Sequence, residues 1–120
     1  MAIRVMVADD HTIMREGLKN LLRREPGIEV VAEAANGRQA LDLVAKTPVD
    51  VIIMDISMKE LNGMEATRRI LESHPGIKII ALSMHADKRY VAGMFDAGAA
   101  AYLLKDCDME ELVQAVRAVA

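Results

Sequence analysis

The chain has 120 residues, 52% of them hydrophobic, with a formal net charge of -3 and a pI near 5.6. That length buries one sizeable core and is short for two domains, and the acidic balance excludes a general basic footprint for nucleic acid or an anionic membrane. No run of about 18 apolar residues occurs, the opening MAIRVMVADD turns acidic too early for a secretory signal, and Cys107 has no disulfide or CxxC companion, so a cytoplasmic protein with an ordinary thiol is expected.

Strand and helix signals alternate from the first residues. An aliphatic strand is predicted over Ile3 to Ala8 and stops at Asp9-Asp10. A helical stripe of Ile13, Gly17, Leu18, Leu21 and Leu22 follows, closed by Pro26-Gly27. The second strand is predicted over Glu29 to Glu33, and Ala40, Leu41, Val44 and Ala45 mark the second helix, closed by Pro48. The third strand, Val49 to Met54, runs into Asp55, and Pro75-Gly76 closes the helical stretch beyond it. A fourth strand, Lys78 to Leu82, precedes Ser83, and a fifth, Ala101 to Leu104, precedes Lys105. The last helix carries Leu112, Val113, Val116 and Val119 on one stripe. The runs VIIM and KIIAL are apolar on consecutive residues, as in strands covered on both faces of a parallel sheet. Strands alternating with helices imply an α/β sandwich with right-handed crossovers. No linker, low-complexity tract or long repeat divides the chain, so one domain over residues 1–120 is expected.

A parallel sheet gathers the polar residues that end its strands at one edge, where doubly wound folds bind ligands. Asp9, Asp10 and Asp55 would then meet there. Two carboxylates about 4 Å apart repel by roughly 4 kcal/mol at an effective dielectric of 20. A raised pKa relieves that repulsion, and a hard divalent cation such as Mg²⁺, or Mn²⁺ in its place, relieves it better. Lys105 supplies a fixed cation able to pair with Asp55 and then with a phosphoryl oxygen, and the Ser83 hydroxyl offers a further donor. A carboxylate so placed can attack a phosphorylated donor and become an aspartyl phosphate.

The segments VADDHTIMREGL, VIIMDISMKELNGMEA, IIALSMHAD and GAAAYLLKD resemble those of bacterial two-component response-regulator receiver domains, most closely the NarL/FixJ (LuxR-type) subfamily. The resemblance spans essentially the whole chain. It implies a flavodoxin-like (βα)5 fold, a three-layer sandwich around a parallel sheet of order 2-1-3-4-5. It also implies that Asp55 is the phosphoacceptor, Asp10 a direct Mg²⁺ ligand, Asp9 the second acidic position and the Ser57 backbone carbonyl a further ligand. Ser83 matches the switch hydroxyl, Lys105 the lysine of the site and Tyr102 the aromatic switch position. The implied protein is a signalling switch and not an enzyme beyond its own phosphorylation and slow autodephosphorylation. Its implied partners are a sensor histidine kinase and a helix-turn-helix output domain, the latter not present in this chain. A homodimer is also implied, through the first and fifth helices or through the fourth helix, fifth strand and fifth helix.

Two positions depart from the pattern. Lys59 stands where the family usually has proline, which removes a fixed φ and adds a cation to the loop beside Asp55. Asp106 follows Lys105 where many relatives carry a cis-proline, although LLKD is usual in this subfamily. His85 falls on a family position able to tune dephosphorylation; His11, His74 and His85 together match no zinc spacing. Three rival readings are a flavodoxin, a metal-dependent aspartyl-phosphate phosphatase and a degenerate receiver serving as a dimerisation module. The first is opposed by 2% aromatic content and no Trp, the second by Ser57 in place of a second acid, the third by the intact reactive positions.

Overall fold

The computed structural model describes residues 2–58, 60–84 and 86–120. Among these, five strands alternate with five helices: β1 (Ile3–Ala8), α1 (Thr12–Arg23), β2 (Ile28–Ala34), α2 (Gly37–Val44), β3 (Val51–Asp55), α3 (Gly63–Ser73), β4 (Lys78–Ser83), α4 (Lys88–Ala97), β5 (Ala101–Leu104) and α5 (Met109–Val119). The strands form one sheet in the order β2-β1-β3-β4-β5, and every neighbouring pair is parallel. This is the flavodoxin-like three-layer architecture.

The period-2 alternation of a strand divides the core into two. Val5, Val7, Val51, Ile53, Ile80 and Leu82 point to one face, where Leu18 and Leu22 of α1 and Leu112, Val113 and Val116 of α5 cover them. Met6, Ala8, Ile52, Met54, Ile79 and Ala81 point to the other, under Ala40 and Val44 of α2, Ala66 and Ile70 of α3 and Met94 of α4. Residues Val51 to Asp55 are all buried, as the unbroken apolar run requires of a central strand with helices on both sides.

Short polar side chains start four of the helices. Asn36, Asn62, Asp87 and Asp108 accept the backbone N–H of Gln39, Glu65, Arg89 and Glu111, satisfying donors left over in each first turn. At the other end of α4, Gly98 takes a φ of 112° that a side chain would resist. The Pro26-Gly27 punctuation works as read: the Gly27 carbonyl accepts the N–H of Ile3 at 2.7 Å, bringing the turn back to the start of β1.

Several boundaries differ from those read in the sequence. Sheet pairing of the third strand begins at Val51, opposite Val5, and not at Val49. Asp50 lies between; its carboxylate clamps the Arg4 guanidinium at 2.9 and 3.1 Å and accepts the Arg4 N–H. The second strand gains one residue at each end, and Asp55 and Ser83 are the last residues of their strands. On α1, Met14 packs against the core with Leu18 and Leu22, whereas Ile13 is 90% exposed and Leu21 is also exposed. The predicted stripe is thus displaced. Ile13, Gly17 and Leu21 form the adjacent i, i+4 row, which flanks an open groove completed by Met109. Ala45 is exposed because α2 ends at Val44.

Candidate active site

Parallel pairing places the carboxyl ends of β1, β3, β4 and β5 side by side, and the polar residues of those ends converge there. Asp9 and Asp10 follow β1, Asp55 ends β3, Ser83 ends β4 and Lys105 follows β5. Asp9 is 1% exposed and Asp55 3% exposed. Lys105 Nζ lies 3.2 Å from Asp9 Oδ2 and 3.3 Å from Asp55 Oδ2. The expected pairing with Asp55 is therefore present, and Asp9 shares the cation. The lysine is itself only 4% exposed in its side chain, and its backbone N–H donates to the Ser83 carbonyl at 2.7 Å, fixing where β5 releases it.

The β1–α1 turn is held from both sides. The Asp9 N–H donates to the Ala34 carbonyl at 3.0 Å, and Arg15 Nη1 donates to the Asp9 carbonyl at 2.7 Å. The same guanidinium reaches Glu33 through Nε at 2.9 Å, and Glu33 also pairs with the buried Lys19. A clamp of α1 on the end of β2 thus sets the backbone from which Asp9 and Asp10 project. Neither Arg15 nor Glu33 stands out in the sequence, where both read as ordinary charged residues.

His11 also joins the pocket, a role its sequence position alone did not assign. Its N–H donates to Asp9 Oδ1 at 2.8 Å, and its Nδ1 lies 3.2 Å from Asp9 Oδ1, 3.2 Å from Asp10 Oδ1 and 4.0 Å from Asp55 Oδ2. The available signal was its position directly after the acidic pair at a helix start.

Electrostatics leave this cluster short of positive charge. Burial pushes the Asp55 carboxyl above its ordinary pKa, the Asp9 charge pushes it further, and Lys105 and the Ser57 N–H oppose both. That N–H donates to Asp55 Oδ1 at 3.2 Å. Asp9 Oδ2 and Asp55 Oδ2 share the single Lys105 ammonium at 3.2 and 3.3 Å, and Asp10 Oδ1 is buried with no aligned donor. One ligand atom from each of Asp9, Asp10, His11 and Asp55 lies within 4.8 Å of the others. Buried anionic oxygens without donors are costly, and an oxygen-rich set of this size fits a hard divalent cation.

The remaining candidates occupy the surroundings. Ser83 is buried and, with Met84, Leu104, Lys105 and Asp106, lines a small cleft. Tyr102 is half-buried and packs against the core under α2, α3 and α4. Ser57 is exposed. Lys59 and His85 lie outside the described residues. The Lys105-Asp106 bond is trans, as are all the described peptide bonds. Cys107 is half-buried, and burial raises its thiol above the ordinary value, as for an inert cysteine. Among the described residues, no helix is long and apolar enough to cross a membrane.

Residues 5–117 match the family model described as response regulator receiver domain. The transcriptional regulatory protein DegU of Brevibacillus brevis is 45% identical over 118 residues, covering 98% of this chain and 50% of the relative. The nitrate/nitrite response regulator protein NarP of Escherichia coli strain K12 is 42% identical over 114 residues, covering 95% of this chain and 53% of the relative. The chain thus spans about half the length of these curated relatives. Among solved structures, a LuxR-family two-component response regulator from Aurantimonas sp. SI85-9A1 superposes with a TM-score of 0.94 at 39% identity, covering 99% of this chain and 85% of that one. The response regulator domain of Thermotoga maritima CheB superposes with a TM-score of 0.92 at 29% identity, covering 99% of this chain and 96% of that one. Five parallel strands in the order 2-1-3-4-5, the acidic pocket at their carboxyl ends and these relatives agree: the chain belongs to the response regulator receiver domain family, in its NarL/LuxR branch.

Proposed function

We propose that this receiver takes a phosphoryl group from the phosphohistidine of a sensor histidine kinase onto Asp55, with Mg²⁺ bound beside it, and that the phosphorylated form switches a transcriptional output. The observation that carries the reading is the buried triad of Asp9, Asp55 and Lys105, with the two carboxylates 3.2 and 3.3 Å from one ammonium. Asp10, Asp55 and the Ser57 carbonyl would hold Mg²⁺, with Asp9 assisting. The cation supplies charge neutralisation for the transferring group.

The chain's own residues account for the rest. An Asp55 oxygen attacks phosphorus, the donor's N–P bond breaks, and the imidazole leaves with that electron pair and takes up a proton. The Ser57 N–H orients Asp55 through Oδ1, leaving Oδ2 toward Lys105. Lys105 then follows the charge from the carboxylate to a phosphoryl oxygen, and the Ser83 hydroxyl donates to another. Drawing Ser83 toward the phosphoryl group would free Tyr102 to turn inward and so shift the populations of the α4–β5–α5 face. The turnover of such a switch is limited to its own slow dephosphorylation. A kinase donor and a helix-turn-helix output of the kind found in full-length relatives fit a cytoplasmic location, with no nucleic-acid contact by this segment.

The test is intact-mass spectrometry after incubation with acetyl phosphate, with Mg²⁺ or EDTA, on wild type and Asp55→Asn. One Mg²⁺-dependent, hydroxylamine-labile phosphoryl group that disappears in the variant is expected. Labelling that persists in Asp55→Asn would move the acceptor, and multiple turnovers of donor without accumulation would favour a phosphatase.

A further inference from the structure

The acidic pocket contains one donor that phosphotransfer does not use. His11 is the N-terminal boundary residue of α1, and unlike its counterparts on α2 to α5 its side chain makes no capping hydrogen bond. Its backbone N–H is already held by Asp9 Oδ1. The ring's Nδ1 lies over the carboxylates, 3.2 Å from oxygens of both Asp9 and Asp10 and 4.0 Å from Asp55 Oδ2.

These separations have the form of a coordination shell. An octahedral ion with bonds of about 2.1 Å sets adjacent ligands about 3.0 Å apart and opposite ligands about 4.2 Å apart. The imidazole nitrogen therefore stands near such ligand-to-ligand distances from Asp10 and Asp55, while Asp9 Oδ1 lies within its hydrogen-bonding reach. Hydrogen bonding alone does not account for the cluster. Nδ1 carries at most one hydrogen, and giving it to Asp9 Oδ1 leaves the buried Asp10 Oδ1 without an aligned donor, while Asp55 Oδ2 has only the Lys105 ammonium that it shares with Asp9.

Building on the pocket's reading as a divalent-cation site, we infer that His11 is a nitrogen ligand of that cation, and that it tilts the site toward Mn²⁺, Co²⁺ and Ni²⁺ relative to Mg²⁺. Mg²⁺ takes oxygen ligands and keeps its waters, so an imidazole adds little to its binding. First-row transition ions accept imidazole readily. An all-oxygen site already binds Ni²⁺ more tightly than Mg²⁺, so the quantity that isolates His11 is the change in the affinity ratio when its ring is removed.

The experiment titrates tag-free protein with MgCl₂ and separately with CoCl₂ by calorimetry, for wild type, His11→Asn and Asp10→Asn, and records pulsed EPR of bound Mn²⁺. Asn is favoured at a helix N-cap, so His11→Asn is expected to keep α1 folded, with circular dichroism as the check. The expected result is that His11→Asn changes Mg²⁺ affinity by less than about twofold, lowers Co²⁺ affinity on the order of tenfold, and removes a ¹⁴N modulation seen in wild type. An unchanged Co²⁺ to Mg²⁺ ratio with no ¹⁴N coupling, while Mg²⁺ binding still depends on Asp10, would overturn the role of His11 alone. Mg²⁺ binding that is absent, or indifferent to Asp10→Asn, would overturn the pocket reading beneath it.

Discussion

Replacing Asp55 by Asn should stabilise the metal-free protein, although it removes an ion pair. The Asp55 carboxylate has ligand atoms of Asp9 and Asp10 within 4.8 Å, so each such pair repels by at least about 3.5 kcal/mol at an effective dielectric of 20. Lys105 at 3.3 Å returns about 5 kcal/mol of attraction on the same scale. The balance is at least about 2 kcal/mol against the ionised Asp55, with burial of the charge acting in the same direction. Asn has nearly the same shape, keeps an oxygen for the Ser57 N–H, and leaves Lys105 paired with Asp9 at 3.2 Å. For a domain of this size the expected rise in Tm is on the order of 8 °C in EDTA at pH 7.

The pH dependence of that gain has a definite sign. The folded-state pKa of Asp55 is raised by burial and by Asp9, so the folded protein holds this proton more tightly than the unfolded chain. The resulting stability is fully present below the unfolded pKa and is lost as pH rises through the folded one. The advantage of Asn should therefore shrink as pH falls through the raised pKa of Asp55. It should shrink also when saturating Mg²⁺ stabilises the wild type by mass action. Thermal and urea unfolding of both proteins, in EDTA and in MgCl₂ across pH, measure these effects. An Asn variant no more stable than wild type in EDTA at pH 7 would refute the repulsion argument.

Three further outcomes are expected. A Cβ on Gly63 would sit 2.3 Å from the Asp55 carbonyl oxygen and 2.8 Å from Ile56 Cα, so Gly63→Ala should cost about 1–3 kcal/mol in urea unfolding by forcing α3 off the acceptor loop. Slower labelling of Asp55 by acetyl phosphate should accompany it. Lys105→Met removes the cation shared by Asp9 and Asp55; it should lower metal-free stability by about 3–5 kcal/mol and tighten Mg²⁺ binding in calorimetry, since the ion then has no competing ammonium. Asp10→Asn should weaken Mg²⁺ binding far more than Ser57→Ala, whose contribution would be through the backbone, and equal effects would contradict the ligand assignment.

The elements and the edge at which the site forms were legible in the sequence because both rest on local patterns. Consecutive apolar residues in VIIM and KIIAL identify strands buried on both faces, prolines stop the helices, and a parallel sheet brings every strand's carboxyl end to the same side. Asp9, Asp10, Asp55, Ser83 and Lys105 could be placed together on that basis alone. The tertiary structure decided what those side chains do to one another. Lys105 is divided between Asp9 and Asp55, His11 folds back onto the carboxylates, Arg15 and Glu33 clamp the β1–α1 turn, and Ile13 faces solvent beside the stripe that Met14 shares with Leu18 and Leu22. Such contacts join residues from different strands and turns, or depend on how a helix is rotated against the sheet. Hydrophobic periodicity fixes a helix's apolar side only to within about one residue's turn, and the direction of a side chain at a loop is set by hydrogen bonds that exist only once the strands have paired.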